Sequence, residues 1–224
     1  MLLSVIVPVY NEERTLEIIL EHINGVSMEK EIIIINDGSS DSTKKILDQT
    51  HMINTTIIHH EKNRGKGASI RTGLTYVKGA VVIIQDADLE LNPQEYFKLL
   101  QPIKEGRAHV VFGSRYMGKG SKGSFSRYSA NKILTFFTNY FNGTSLTDMN
   151  TCYKMFTSSL IPLLDLQSNG FDIEPELAAK LVKHGGKILE VPITYTPRTT
   201  EEGKKIRFMD FFKDMLAIYK FRKK

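Results

Sequence analysis

The chain reads as an α/β protein built on a mostly parallel sheet flanked by helices, and three observations lead there. Strand-like and helix-like hydrophobic patterns alternate through its first half. Glu31–Asn36 contains four consecutive isoleucines, the pattern of a strand buried on both faces. Polar clusters follow the apolar runs, as they do at the strand ends where open α/β sheets bind ligands.

The elements follow in order. Leu3–Val9 is an apolar run rich in β-branched residues, a first strand. Asn11 is a cap residue for a helix whose Leu16, Ile19, Leu20 and Ile23 recur at helical spacing, and Gly25 stops it. Glu31–Asn36 is the second strand, and Ser40 or Asp41 caps a helix through Leu47. Thr55–His60 is a strand, Gly67–Lys78 a helix and Ala80–Gln85 a fourth strand. Pro93 suits the first turn of a helix to Lys104, and Ala108–Gly113 is a fifth strand. Met117–Ser126, rich in Gly, Ser and Lys, reads as a mobile loop that orders with substrates, and a helix follows from about Tyr128 to Tyr140. Cys152–Phe156 and Lys187–Tyr195 are strand-like, Pro175–His184 is a helix closed by Gly185, and Pro197–Gly203 is a loop. Residues 206–224 form a last helix beyond a body of residues 1–205.

Composition narrows the class. With 224 residues, 41% hydrophobic and 25% charged, the chain can bury a real core and is neither fibrous nor disordered. One cysteine, Cys152, excludes an internal disulfide and any site built on several thiolates. No apolar run is long enough for a membrane span, and the start lacks the basic region and cleavage site of a leader. The net charge of +5 is uneven: residues 204–224 carry +6 and the rest −1. A cationic end on a near-neutral body points to a local anionic partner such as a membrane surface, not to nucleic acid.

The chemistry gathers at strand ends. Gln85-Asp86-Ala87-Asp88-Leu89-Glu90 closes the fourth strand. In extended chain Asp86, Asp88 and Glu90 share a face. Three converging carboxylates suit Mg2+ or Mn2+, which completes its shell with substrate phosphates; the bland alternative is a solvated acidic turn. Pro8-Val9-Tyr10-Asn11-Glu12 and Asn36-Asp37-Gly38-Ser39-Ser40-Asp41 lie on the same edge. Turn and cap chemistry accounts for Asn11, Gly38 and Ser40, but not for Glu12 or Asp37. Asp37 could accept hydrogen bonds from a base, and Tyr10 could pack on it. Asn63-Arg64-Gly65-Lys66-Gly67 opens a helix, where Arg64 and Lys66 suit a phosphate as well as a plain turn. It is neither a dinucleotide fingerprint nor a Walker A loop. His59 and His60 point to opposite faces and cannot chelate one ion.

This ordered set resembles inverting family 2 glycosyltransferases of the GT-A (Rossmann-like) fold. Within them it resembles the dolichol-phosphate mannose synthase and polyprenyl-phosphate hexosyltransferase branch. Gly113-Ser114-Arg115, Thr147 to Lys154, Phe171-Asp172-Ile173-Glu174 and Pro197-Arg198 to Lys205 extend the likeness over nearly the whole chain. The resemblance implies that Pro8, Tyr10, Glu12 and Asp37 hold the nucleoside, with Asp86 close by. It implies that Asp88 and Glu90, a position often Gln in mannose synthases, hold the metal. Arg115 and Arg127 would grip a lipid phosphate, and Arg198 and Lys205 would face the donor diphosphate or the acceptor phosphate. Asp148 matches the base of relatives with hydroxyl acceptors, and here is expected to position the acceptor or a cationic side chain.

The resulting expectation is transfer of mannose or glucose from a nucleotide diphosphate hexose to a polyprenyl (dolichyl-type) phosphate. The setting is cytoplasmic, peripheral on a membrane's cytoplasmic face, with a membrane-protein partner or homo-oligomer possible. The alternatives are a hydroxyl acceptor on a surface glycan and a non-catalytic nucleotide-sugar-binding subunit. In the tail, Phe208, Phe212, Met215, Leu216 and Tyr219 fall on one helical face. That stripe either packs on the body or serves an interfacial helix. Both hold if Phe208 and Phe212 face the core while Phe211, Ile218 and Phe221 face lipid.

Overall fold

A strand that is buried along consecutive positions needs cover on both faces, and the second strand meets that condition from Glu31 to Asn36. In the computed structural model, which describes residues 1–118, 124–198 and 208–222, Ile32, Ile33, Ile34 and Ile35 are all buried. Seven strands form one sheet: β1 (Leu3–Val9), β2 (Lys30–Asn36), β3 (Thr55–His59), β4 (Val81–Ile84), β5 (Val110–Ser114), β6 (Lys154–Thr157) and β7 (Ile188–Pro192). Their order is β3-β2-β1-β4-β6-β5-β7. Only β6 runs antiparallel to its neighbours β4 and β5. At the centre Ile6 pairs with Ile33 on one side and Ile84 on the other. Each fully buried side chain of this kind contributes about 1.5–3 kcal/mol.

The helices are α1 (Leu16–Asn24), α2 (Thr43–Asp48), α3 (Lys66–Leu74), α4 (Tyr96–Lys104), α5 (Phe125–Asn142), α6 (Ile161–Leu164), α7 (Ile173–Gly185) and α8 (Phe208–Phe221). A 3-10 turn at Pro93–Glu95 leads into α4, with Asn92 accepting from Gln94 N as its cap. α3 packs on β1 and β2, α4 on β5, and α8 lies against α5 and α7.

Two expectations are corrected. Asn11 caps nothing: it adopts a left-handed φ of 50°, and its side chain bonds Ser40 in the neighbouring loop. The helix begins five residues later at Leu16. The tail helix is turned the other way from the orientation that would let both roles hold: Ile218 is 1% exposed and faces the body, while Phe212 is 47% exposed. The buried side of α8 is Asp214, Ala217 and Ile218, and its outer side is Met209, Phe212, Leu216 and Tyr219. Within the expected loop at 117–126, residues 119–123 lie outside the described residues; Phe125 and Ser126 already belong to α5.

Candidate active site

The carboxyl ends of β1, β2 and β4 open onto a cleft of about 730 Å3, lined also by Arg115, Tyr195 and Arg198. Gln85, fully buried at the end of β4, fixes one wall. Its Oε1 accepts from Tyr96 and Tyr153 hydroxyls, each at 2.7 Å, and its amide donates to Asp86 O at 2.8 Å. The backbone that carries Asp86 and Asp88 is thereby held rigid.

The three carboxylates do not converge by strand alternation. Leu89 has φ 62°, so the chain turns. Asp88 Oδ1 accepts from Glu90 N at 3.1 Å, and Glu90 Oε1 accepts from Arg198 N at 2.9 Å. Among the described residues no three His, Cys, Asp or Glu are grouped to hold an ion. Glu90 as a third ligand is therefore not assembled here. Asp86 and Asp88 alone remain a suitable donor pair. Burial, then Asp86 and Glu90, push the Asp88 carboxyl up to about 7 despite Arg198. That excess of negative charge suits an oxygen-liganded divalent cation sharing diphosphate oxygens.

Cations already bracket the pair. Arg198 spans Glu12, with Nη1 to Oε2 at 3.0 Å and Nη2 to Oε1 at 3.2 Å, and reaches Asp88 Oδ2 at 3.1 Å. Burial opposes its charge, but Asp88 and Glu12 raise its pKa overall. Lys66 bonds Asp86 at 2.8 Å and Glu174 at 2.9 Å. The start of α3, expected to suit a phosphate, is taken up differently. Gly67 N and Ala68 N donate to Gly170 O and Asn169 O. A Cβ on Gly65, at φ 96°, would lie 2.3 Å from Asn169 O, which is why glycine stands there.

Asp37, 3% exposed, fastens the same loop. Its Oδ1 accepts from Arg64 N at 2.9 Å and faces His60 Nδ1 at 2.7 Å, and its Oδ2 accepts from Gly65 N at 2.7 Å. Asp37, Pro8 and Tyr10 all line the cleft, so the nucleoside expectation is sterically open. His59 bonds Asn36 and His60 bonds Asp37 and Thr72, each on its own face.

Across the cleft Arg115 is clasped by Asp148. Its Nε and Nη2 donate to Asp148 Oδ2 and Oδ1, both at 2.7 Å, and its backbone N donates at 3.0 Å. Asn131 Nδ2 adds a fourth bond at 3.0 Å. Asp148 is 0% exposed, and burial of the guanidinium is outweighed by Asp148, so the Arg115 pKa rises. Arg115 also lies over the Tyr195 ring at 5.2 Å. Arg127 is exposed and donates to Arg198 O at 3.4 Å. Lys205 lies outside the described residues.

Several site residues carried no role in the sequence reading. Glu190 accepts from Thr147 N and Asp148 N, setting the Asp148 turn. Glu174 takes Lys154 and Lys66 together. Burial alone would push Glu174 up, yet the two lysines leave it at about 2. Lys154 had a signal: it is a charge inside the apolar run Cys152–Phe156 and must be paired if buried, whereas Glu174, between Asp172 and Glu176, had none. Asp214 and Asn150 also line the cleft.

With this geometry in view, comparison with known proteins is specific. The profile of glycosyl transferase family 2 matches residues 4–162. The chain is 26% identical over 205 residues to polyprenol monophosphomannose synthase of Mycolicibacterium smegmatis, covering 87% of this chain and 77% of that protein. It is 28% identical over 208 residues to low-salt glycan biosynthesis hexosyltransferase Agl6 of Haloferax volcanii, covering 89% of this chain but only 49% of that protein. Among solved structures, glucosyl-3-phosphoglycerate synthase from Mycobacterium tuberculosis, in complex with Mn2+, UDP and glucosyl-3-phosphoglycerate, aligns with a TM-score of 0.72 at 18% identity. That alignment covers 98% of this chain and 79% of the other. S. aureus TarS 1-349 with UDP-GlcNAc aligns at 0.66 and 19% identity, over 99% and 66%. These two establish the GT-A fold. The chain belongs to glycosyl transferase family 2 and is a glycosyltransferase.

Proposed function

We propose that the chain moves one hexose, mannose or glucose, from a nucleotide diphosphate sugar to a polyprenyl phosphate with inversion at the anomeric carbon. The observation that carries this reading is the Arg115–Asp148 clasp. A hydroxyl acceptor needs a base, and Asp148 is buried beneath four donors. A phosphate acceptor needs none, because its second pKa of about 6 leaves it ionised at neutral pH. It needs only a fixed cation at the cleft wall, which Arg115 supplies. The relative named polyprenol monophosphomannose synthase supports the same acceptor class.

In this mechanism an acceptor phosphate oxygen attacks the anomeric carbon while the bond to the diphosphate oxygen breaks. Asp86 and Asp88 would hold Mg2+ or Mn2+, whose chemistry is to stabilise charge on the leaving diphosphate. Lys66 and Arg198 hold those carboxylates in place. Tyr10, Pro8 and Asp37 would receive the nucleoside, and Arg115, with Arg127 at the rim, the acceptor phosphate. Asp148→Asn is expected to keep measurable transfer, because Asp148 orients Arg115 and abstracts no proton. Arg115→Ala is expected to lower transfer roughly ten- to a hundredfold through the acceptor, donor affinity being little changed. Steady-state kinetics with a short polyprenyl phosphate decide the matter. Complete loss in a folded Asp148→Asn that still binds acceptor would favour a hydroxyl acceptor instead.

The same reading places the chain on the cytoplasmic face of a membrane. Among the described residues no helix is long and apolar enough to cross one. The outer sides of α5 and α8 nevertheless expose Phe136, Tyr140, Phe212, Leu216 and Tyr219. The two stripes meet where Phe141 packs edge-on against Tyr219, centroids 6.1 Å apart. Lys213 and Lys220 are exposed on α8, and Lys223 and Lys224 lie beyond the described residues. Basic groups near an anionic surface add ~1 kcal/mol each. Co-sedimentation with phosphatidylserine vesicles at low salt is expected, and Phe136→Ser/Phe212→Ser/Leu216→Ser is expected to reduce it at least about tenfold. Parent protein left in the supernatant would mean that a separate membrane protein supplies the lipid.

A further inference from the structure

α8 brings two carboxyl residues to the cleft that the transfer reaction leaves unused, Asp210 and the more deeply buried Asp214. Asp214 is 7% exposed, and both it and Asn150 line the cleft. Asp214 Oδ2 accepts from Asn150 Nδ2 at a long 3.4 Å. Asp214 Oδ1 and Asn150 Oδ1 have no hydrogen-bond partner among the described residues. Buried acceptors are almost always matched, so two unmatched ones side by side call for a ligand. Both are acceptors, so the ligand must bring donors. The carboxylates nearest Asp214 are Glu174, Asp172 and Asp210, which outweigh Lys213 on the same helix and disfavour a phosphate at this spot. Burial, then these carboxylates, hold the Asp214 carboxyl up at about 7, and among the described residues no three His, Cys, Asp or Glu are grouped here to hold a cation. Neutral hydroxyl groups satisfy both conditions. Phe171, also lining the cleft, offers the apolar wall that a pyranose ring packs on.

We propose that Asp214 and Asn150 form a hexose subsite, accepting hydrogen bonds from neighbouring hydroxyls of the sugar on the nucleotide donor. This rests on the transferase reading above and adds which residues read the sugar. A site built to accept from a hydroxyl rejects a sugar that lacks or inverts it, because the buried acceptors are then left unmatched. The C-terminal helix α8 is on this view part of the donor site, and its inner face sets which hexose is used.

The test is titration calorimetry of the full chain with Mn2+ present. The probes are UDP, GDP, and the pairs UDP-glucose/UDP-galactose and GDP-mannose/GDP-glucose, each pair differing at one hydroxyl. In Asp214→Ala and Asn150→Ala, nucleoside diphosphate affinity is expected to stay within about twofold. Affinity for the preferred nucleotide sugar is expected to fall roughly ten- to a hundredfold, with discrimination within its pair lost. The melting temperature of Asp214→Ala is expected to equal or exceed the parent's, since an unmatched buried carboxyl is gone; a purely structural role would lower it. Asp214→Asn, which keeps the shape and one acceptor, is expected to retain part of the discrimination. Equal losses for UDP and UDP-glucose, or for GDP and GDP-mannose, would overturn the subsite. So would undiminished discrimination, or an effect confined to the acceptor KM. A parent chain that binds nucleoside diphosphates but none of these nucleotide sugars would overturn the proposed hexose donor, and the subsite with it.

Discussion

Replacing Asp88 with Asn is expected to lower transfer by roughly a thousandfold or more, while the protein melts no lower than the parent. The two halves of this expectation have different causes. Activity falls because one of the two carboxylates that can hold a divalent ion is lost, and with it the charge stabilisation of the leaving diphosphate. Stability holds because Asp88 is buried against the like charges of Asp86 and Glu90. Removing a crowded carboxylate relieves that repulsion, and Arg198 keeps both contacts to Glu12. EDTA is expected to reproduce the loss, and excess Mn2+ or Mg2+ to restore it. Transfer rates and a thermal melt on the same preparation give both readings. Full activity in the variant, or in EDTA, would remove the metal from the mechanism; a lowered melting temperature would show that Asp88 is a structural residue.

Lys154→Ala is expected to have the largest effect on stability, about 3–5 kcal/mol. Lys154 is 0% exposed and pairs with Glu174, also bonding Thr151 O. Its removal leaves Glu174 buried with Lys66 alone. The double variant Lys154→Met/Glu174→Leu is expected to recover most of the loss, because no buried charge is then left unpaired, Lys66 still bonding Asp86. The same cluster sets an acid limit. The two lysines hold the Glu174 carboxyl at about 2 in the folded protein, below the ordinary glutamate value of 4.5. Its contribution is therefore fully present above pH ~4.5 and is lost as pH falls towards ~2, amounting to about 3 kcal/mol. Denaturant midpoints measured from pH 7 to pH 3 should fall less steeply in the double variant than in the parent. Parallel curves would mean that other carboxylates govern acid unfolding.

Much of the fold was legible because its signals are local. Four consecutive isoleucines can be satisfied only by a doubly covered strand. Asp86 and Asp88 at the end of such a strand had to reach the ligand-binding edge. What was not legible depends on partners far away in sequence. Asp148 and Arg115 lie 33 residues apart, and nothing within either segment announces the clasp. Asn11 has the chemistry of a cap, but Ser40 in the next loop competes for it and wins. The spacing of Glu90 from Asp88 suggested a shared face, yet one left-handed residue between them breaks the alternation. In α8 the apolar residues encircle more than one face, so sequence could not say which side α5 and α7 would cover. That choice was made by Asp214 and Ile218, not by Phe212.

The reversed strand β6 has a geometric consequence for chemistry. Because it runs against β4 and β5, its entry rather than its exit lies at the ligand edge, so the turn carrying Asp148, Asn150 and Cys152 is delivered there. It also separates β4 from β5 by two strand spacings, about 10 Å. Asp88 follows the first of these strands and Arg115 the second, so the sheet itself acts as a ruler between the two residues and, in the proposed reaction, between leaving group and nucleophile. That distance is set by backbone hydrogen bonding and is insensitive to side-chain drift. If the proposed roles hold, donor-side and acceptor-side residues can change independently, each on its own strand, without altering the span over which the sugar would travel.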